Sequence, residues 1–354
     1  MSALSIFNKT SLGIDIGVSS IKIVEVSISG KKKKLENYLE FQLPQKGNNF
    51  KAFHSEDGFL LIEQAATVLK GLLKRFDIKQ KRVAFSIPDF STFFTTFTLP
   101  PMSESEVPKA VEFEARHHIP VPISEVNFDW QIIEKDNKLP ATKLKVLLVA
   151  VPKKVLFSYQ SLAEMCGFNV RGLEAEVFGL IRAVVDPAKF SQPTCLVDFG
   201  WQSTTISLVK NRNLLASHSF DISGSGLSKE LISILKVDFQ VAEDLKKQYG
   251  LDPQKPEIFK ILSAKVNEIS TEIEKICQGF QQDQNNKIED VIISGGTATL
   301  LGLKDYLARE LKRNVFIADP FESVQAPLIL QNRLKQIGPS FSVAVGVSLM
   351  GAET

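Results

Sequence analysis

One motif occurs twice in this chain, once in each half, and that repetition limits the fold more than any other feature. The first copy is Leu12-Gly-Ile-Asp-Ile-Gly-Val-Ser-Ser-Ile-Lys22, running on as Ile23-Val-Glu-Val-Ser-Ile28; the second is Cys195-Leu-Val-Asp-Phe-Gly-Trp-Gln-Ser-Thr-Thr-Ile-Ser-Leu-Val209. Alternating β-branched residues on both sides of a polar break predict two strands joined by a tight turn. Gly17 lets the backbone come close to a ligand, and Ser19 and Ser20 add hydroxyl and amide donors that can nest around a phosphate. Asp15 would repel a bare phosphate, so its carboxylate implies a Mg²⁺ ion between them, held through water. An ordinary hairpin turn favours the same residues. The echo changes the balance: Asp198 stands to Gly200 as Asp15 stands to Gly17. Two such hairpins facing each other across a cleft would hold the phosphates of one nucleotide from both sides.

At 354 residues the chain has room for two domains, each with its own core. A net charge of +2 gives no field strong enough to make nucleic acid a principal partner. Cys166, Cys195 and Cys277 are scattered without metal-ligand spacing and suit a reducing compartment. No apolar run approaches the roughly 20 residues that span a bilayer, and Met1 to Phe7 lacks the features of a signal peptide. The expectation is a cytoplasmic protein with no direct membrane insertion.

Between the repeats, apolar residues at Leu61, Ile62, Ala65, Val68, Leu69 and Leu72 predict a helix within Gly58 to Phe76, and Val83 to Ile87 a strand ending at Pro88. Lys31 to Lys34 read as a solvated turn. Residues 89–168 look like an inserted module. Its strand Thr92 to Thr98 stops at Pro100-Pro101, and Ser103-x-x-Glu106 fits a capping box leading into a helix toward His117, with Pro108 deep enough to kink it. Strands follow at Val126 to Ile133 and Leu144 to Val151, then a helix, Lys153 to Cys166, closed by Gly167. His117 and His118 serve the end of their helix. Leu173 to Val185 reads as a crossing helix carrying Glu174 and Glu176; Glu176 is either a candidate to orient an attacking water or a solvated acid of the first turn. Beyond the second hairpin, Asp221-Ile-Ser-Gly-Ser-Gly226 leads into a helix, and Glu243 and Lys246 share a face of the next. Ile258 to Cys277 is a long amphipathic helix. Val291-Ile-Ile-Ser-Gly-Gly-Thr297 predicts a buried strand, a Gly pair and a helix start, where a flat or anionic ligand can approach the backbone; a sharp turn is the other reading. The small residues of Phe341 to Met350 fit helix or strand, and suit two helices packed closely at a hinge.

Two Asp-x-Gly hairpins, a late Ser-Gly-Gly and a small-residue terminal segment together resemble the actin/Hsp70/sugar-kinase ATPase superfamily. Leu99-Pro-Pro-Met-Ser-Glu-Ser-Glu106 and Glu112-x-Glu-Ala-x-x-x-Ile-Pro-x-Pro-x-x-Glu-Val-x-x-Asp129 resemble, within it, the inserted subdomain of the PilM family of type IV pilus assembly proteins, relatives of the cell-division protein FtsA. The resemblance implies an α/β, actin-like two-domain ATPase fold of duplicated RNase H-like lobes with an inserted α+β SHS2-type subdomain. The first lobe would comprise 1–88 and 169–190, with the partner-binding insert at 89–168. The second lobe would divide into a phosphate hairpin (191–223), a helical nucleoside side (224–290) and an adenosine motif (291–338), followed by a connecting helix (339–354).

It implies ATP and Mg²⁺ as ligands. Asp15, Gly17, Ser19, Ser20 and Lys22 match the first phosphate motif, and Asp198, Gly200, Ser203 and Thr204 the second. Glu243 and Lys246 match the nucleoside contact, Gly295 and Gly296 the adenosine motif, and Glu176 the acid of the connecting helix. Asp15 and Asp198 are the metal candidates, and Glu176 and Asp198 the catalytic ones. The implied role is a cytoplasmic ATP-binding adaptor of the pilus machine, peripheral to the inner membrane through its partners. Its implied partner is the cytoplasmic N-terminal tail of a bitopic PilN-like protein, with other platform or motor ATPase subunits and self-association as further contacts. Trp201 departs from the pattern where a small residue is usual, crowding the phosphate side, and Gly224-Ser-Gly226 replaces an adjacent Gly pair. An FtsA-like division protein and a small-molecule kinase of the same fold are the competing readings. The FtsA family ends in a membrane-binding amphipathic helix, whereas this chain stops at Thr354, and no further residue stands out as a kinase base.

Overall fold

The structure is a computed structural model that describes residues 9–44, 53–55, 59–135, 143–284 and 287–354. Met1 to Phe7 and Gly58 lie outside those residues. The first repeat forms the expected hairpin: β1 (Lys9–Ile16) pairs antiparallel with β2 (Ser20–Ser29), and β2 with β3 (Lys32–Gln42). The chain turns from β2 to β3 through Gly30, whose φ of 59° suits a residue without Cβ. Helix α1 (Ile62–Arg75) buries Ala65 and Leu69 as expected, with Ala66 and Leu73 beside them, leaves Ile62, Val68 and Leu72 half-buried and Leu61 exposed, and delivers β4 (Arg82–Ile87) parallel to β1.

The insert then builds its own three-stranded antiparallel sheet from β5 (Phe93–Leu99), β6 (Val126–Lys135) and β7 (Leu144–Pro152), in the order β5-β7-β6. Helix α2 (Val107–His118) covers it, and Phe97, Val111, Ala115, Val146 and Leu148 make a separate core. Pro108 does not kink α2, because it occupies the first turn, where no backbone donor is needed. The expected capping box is also different. Glu106 accepts from the amide and hydroxyl of Ser103 at 2.8 and 2.7 Å in a turn that precedes the helix. His118 stacks on Phe97 at the helix end.

Helix α3 (Lys153–Cys166), closed by Gly167 at φ 64°, was expected within the insert. It packs instead on α1, with Tyr159, Leu162 and Ala163 in the first lobe's core beside Leu69 and Phe85. The predicted crossing helix also begins later than its sequence suggests. Leu173 and Glu174 belong to strand β8 (Asn169–Ala175), which pairs parallel with β4 and completes the sheet order β3-β2-β1-β4-β8. Sheet hydrogen bonding outweighs helical propensity there, and helix α4 (Glu176–Val184) starts directly after it.

The second lobe repeats the first. Strands β9 (Thr194–Phe199), β10 (Thr204–Lys210) and β11 (Asn213–Phe220) form the meander. Helices α5 (Gly224–Leu235), α6 (Phe239–Tyr249) and α7 (Pro256–Gln284) follow, the first two capped by Ser223 and Asp238. Strand β12 (Asp290–Ser294), helix α8 (Leu303–Leu311) and strand β13 (Asn314–Ile317) complete the order β11-β10-β9-β12-β13, the first sheet's topology over again. The Gly295-Gly296 pair opens a run of turns, and the helix expected there begins only at Leu303. Helix α9 (Gln331–Glu353) resolves the ambiguous tail. It runs under the first sheet and against α4, with Phe341 to Leu349 buried throughout.

Candidate functional site

The two hairpin turns lie on opposite walls of one cleft of about 860 Å³. Asp15, Gly17, Ser19, Ser20 and Lys22 line it from the first lobe, Asp198, Gly200 and Ser203 from the second, with Glu176, Glu243, Lys246, Gly295 and Gly296. Strand register explains the match. Asp15 pairs with Lys22 across the first hairpin, and Asp198 pairs with Thr205 across the second. Cross-strand partners share a face, so Thr205 is the cleft residue. Thr204, expected to bind phosphate, has the opposite side-chain direction; its hydroxyl donates to Ile222 O at 2.6 Å. The seven-residue spacing from Asp15 to Lys22, applied to Asp198, would have found Thr205.

Each turn is held by the lobe behind it. The carbonyls of Val18 and Ser19 accept from the amides of Phe53 and Leu43 at 2.7 and 2.9 Å, and the Gly200 amide donates to Ser203 O at 3.0 Å. Lys22 Nζ donates to Ser20 Oγ at 2.9 Å, which places a cation and a hydroxyl together at the first turn. Gly295, at φ 87°, leaves no room for a side chain: a Cβ would lie 2.4 Å from Phe199 O and 2.7 Å from Asp198 Oδ1. The place a Cβ would take at Gly296 has nothing within 4 Å, so that backbone is open to a ligand.

Beneath the turns sits a concentration of buried acid. Ser86 Oγ donates to Asp15 Oδ1 at 2.7 Å. Asp89, which sequence reasoning passed over, caps α4 by accepting from Val177 N at 3.2 Å, while its own amide donates to Glu176 Oε2 at 3.1 Å. Its signal was a carboxylate just past the C-terminal end of a parallel strand, the edge where ligands gather in α/β sheets. Burial, reinforced by Asp198 and Asp15, pushes Asp89 up to about 8 against the Val177 hydrogen bond. Burial and the charges of Asp15, Asp89 and Asp198 drive Glu176 far above the ordinary carboxylate range, and burial with Asp15 lifts Asp198 to about 6 despite Lys22. A neutral Glu176 can position a water by hydrogen bonding but not strip its proton. Among the described residues no three Asp, Glu, His or Cys side chains form a ready-made metal cage.

These raised values fix a pH dependence. The folded state binds more protons than the unfolded chain, so this stability is complete below about pH 4 and is withdrawn as pH rises through about 6 to 8. Ligand-free protein should lose on the order of 2–4 kcal/mol between about pH 5 and pH 8.5. Asp89→Asn keeps an acceptor for Val177 and should flatten that loss. Denaturant titrations across the range check it, and a parent stability that stays level or climbs would contradict the buried cluster.

The family model for type IV pilus assembly protein PilM matches residues 13–352. The chain belongs to the PilM family. A solved PilM-PilN type IV pilus biogenesis complex is similar to it at 23% identity and a TM-score of 0.82, covering 97% of this chain and 99% of that one. MreB5 of Spiroplasma citri bound to AMPPNP shares the fold at 11% identity and a TM-score of 0.56, over 96% of this PilM-family chain and 95% of MreB5. The cell-division protein FtsA of Streptococcus pneumoniae serotype 2 (strain D39 / NCTC 7466) is 22% identical over 227 residues, covering 58% of this chain and 47% of FtsA. The chain spans about half the length of the curated relatives it matches. The fold is therefore the actin-like one that the resemblance implied.

Proposed function

We propose that this PilM-family protein is an ATP-binding scaffold of the type IV pilus assembly platform that holds the cytoplasmic tail of a bitopic inner-membrane protein. The observation that carries it is the pair of mirrored Asp hairpins lining a single cleft. The residues present fit Mg-ATP: hydroxyl and ammonium donors at the turns, two carboxylates for a cation, and open glycine backbone at Gly296. Ser19, Ser20 and Lys22 would bind phosphate from one lobe and Ser203 and Thr205 from the other, Asp15 and Asp198 would hold Mg²⁺ through water, and Gly295 and Gly296 would border the adenosine. The bound ion would supply the positive charge that lets carboxylates and phosphates share one site. A ligand touching both lobes favours their closed arrangement, and closure reshapes a groove between the insert and the first lobe where a tail peptide can lie.

Support for the partner is the likeness to the PilM-PilN complex. Among the described residues no helix is long and apolar enough to cross a membrane. Curated relatives include FtsA proteins, but the PilM family model spans residues 13–352 and favours the pilus reading. Fluorescence anisotropy of a labelled tail peptide from the bitopic protein of the host's own pilus system tests the role. Saturable binding that changes at least about threefold with Mg-ATP is expected; a peptide that stays free with and without nucleotide would refute it.

A further inference from the structure

We propose that Trp201 recognises the base of the nucleotide by stacking a purine ring on its indole, a step that rests on the nucleotide reading above. The resemblance implied a nucleoside contact at Glu243 and Lys246, yet these side chains are occupied with each other. The Lys246 ammonium donates to Glu243 Oε1 at 2.5 Å, Ser228 Oγ at 2.7 Å and Gly224 O at 3.0 Å, which uses all three of its protons. Glu243 Oε1 accepts from Ser228 as well, and both residues are buried. Drawing Lys246 out to a ligand would break this network and leave a buried carboxylate short of its partner.

What this side of the cleft offers instead is aromatic. Trp201 sits on the turn between β9 and β10, half-buried, with Phe239 edge-on at 6.1 Å and 75° and the Lys246 ammonium 5.5 Å from its ring centre. Trp201, Phe239, Gly295 and Gly296 line the same cleft. The edge contact and the cation fix the indole, so little side-chain freedom remains to be lost when a ring stacks on it. A flat π-surface selects a planar base and gives nothing to a bare phosphate chain. The large residue at a position where small ones are usual then gains a purpose: it takes over the contact that Lys246 cannot make.

The chain holds two tryptophans, Trp130 and Trp201, so a Trp130→Phe protein reports on Trp201 alone. Titrating it with Mg-ATP, Mg-ADP and Mg-tripolyphosphate should shift its emission with the two nucleotides and not with tripolyphosphate. By calorimetry Trp201→Ala should bind ATP about tenfold or more weakly, leave tripolyphosphate unchanged, and be largely rescued by Trp201→Phe. The phenylalanine variant and the emission readout stand even where the alanine variant folds poorly. ATP binding without any emission change, or a Trp201→Ala protein that binds ATP as tightly as its parent, would overturn the stacking role alone. A parent that binds no ATP would overturn the nucleotide reading and this inference together.

Discussion

Gly346→Ala should destabilise the protein by on the order of 3–5 kcal/mol, the largest loss expected from any single methyl group here. A Cβ at Gly346 would lie 1.9 Å from Gly179 O and 2.4 Å from its carbonyl carbon, so α9 and α4 touch backbone to backbone. Flexible side chains that swing aside are absent from that contact, and neither helix can move alone. α9 is also pinned on its other flank, where a Cβ at Gly13 would meet Ala344 O at 2.1 Å and where Ser348 Oγ donates to Ser11 O at 3.0 Å. Arg182 ties the same crossing together through a bidentate pair with Glu174 and a hydrogen bond to Gly346 O at 3.3 Å. Because α4 leads from Glu176 and α9 underlies the first sheet, the strain would reach the cleft as well as the core. Gly71→Ala is the contrast: it lies exposed in α1 with nothing within 4 Å, and should stabilise by about 0.5–1 kcal/mol. Urea titrations of both variants check the pair. A Gly346→Ala protein within about 1 kcal/mol of its parent would mean that the helices do not cross as closely as described.

That crossing shows how unevenly the sequence discloses its structure. The small residues of Phe341 to Met350 announce close packing but not whether they form a helix or strand, because the partner surface that decides it, Gly179 on α4, is far away in sequence. The twin hairpins and their turns are legible, since strand alternation and the Asp-x-Gly turns are local. Thr204 was misread for a related reason: the motif fixes the turn, while the register of β10 against β9 decides which threonine faces the cleft. Glu243 and Lys246 carry a true i,i+3 pairing and line the cleft, and the contacts that Gly224 and Ser228 of α5 add to Lys246 are tertiary ones that local spacing does not show. Helix α3 reads correctly as a helix and wrongly as part of the insert, since its apolar face cannot say which lobe it meets. Asp89 is hidden most deeply: its role follows from the N-terminus of α4, which arrives from 87 positions further along the chain.

Removing either cleft aspartate should separate binding from stability with opposite signs. Asp198→Asn and Asp15→Asn should each weaken Mg-ATP binding by about 100-fold or more, since each removes a negative charge that faces the divalent cation across one bridging water. The same substitutions should leave the ligand-free fold as stable or more stable at about pH 8, because Asp15 and Asp198 crowd Asp89 and Glu176 in one cluster and Asp198, lifted to about 6, is ionised there. Ser86 keeps an acceptor when Asp15 becomes Asn, so no orphaned hydroxyl offsets the gain. A residue held only for structure would behave otherwise, losing stability in step with binding. The cation's share is separable too: with EDTA the parent should fall to the affinity of the variants, and the variants should hardly change. Calorimetry with and without Mg²⁺, run beside denaturant titrations, measures all of this. If both variants bind Mg-ATP like the parent, the two hairpins do not share a triphosphate, however symmetrically the sheets present them.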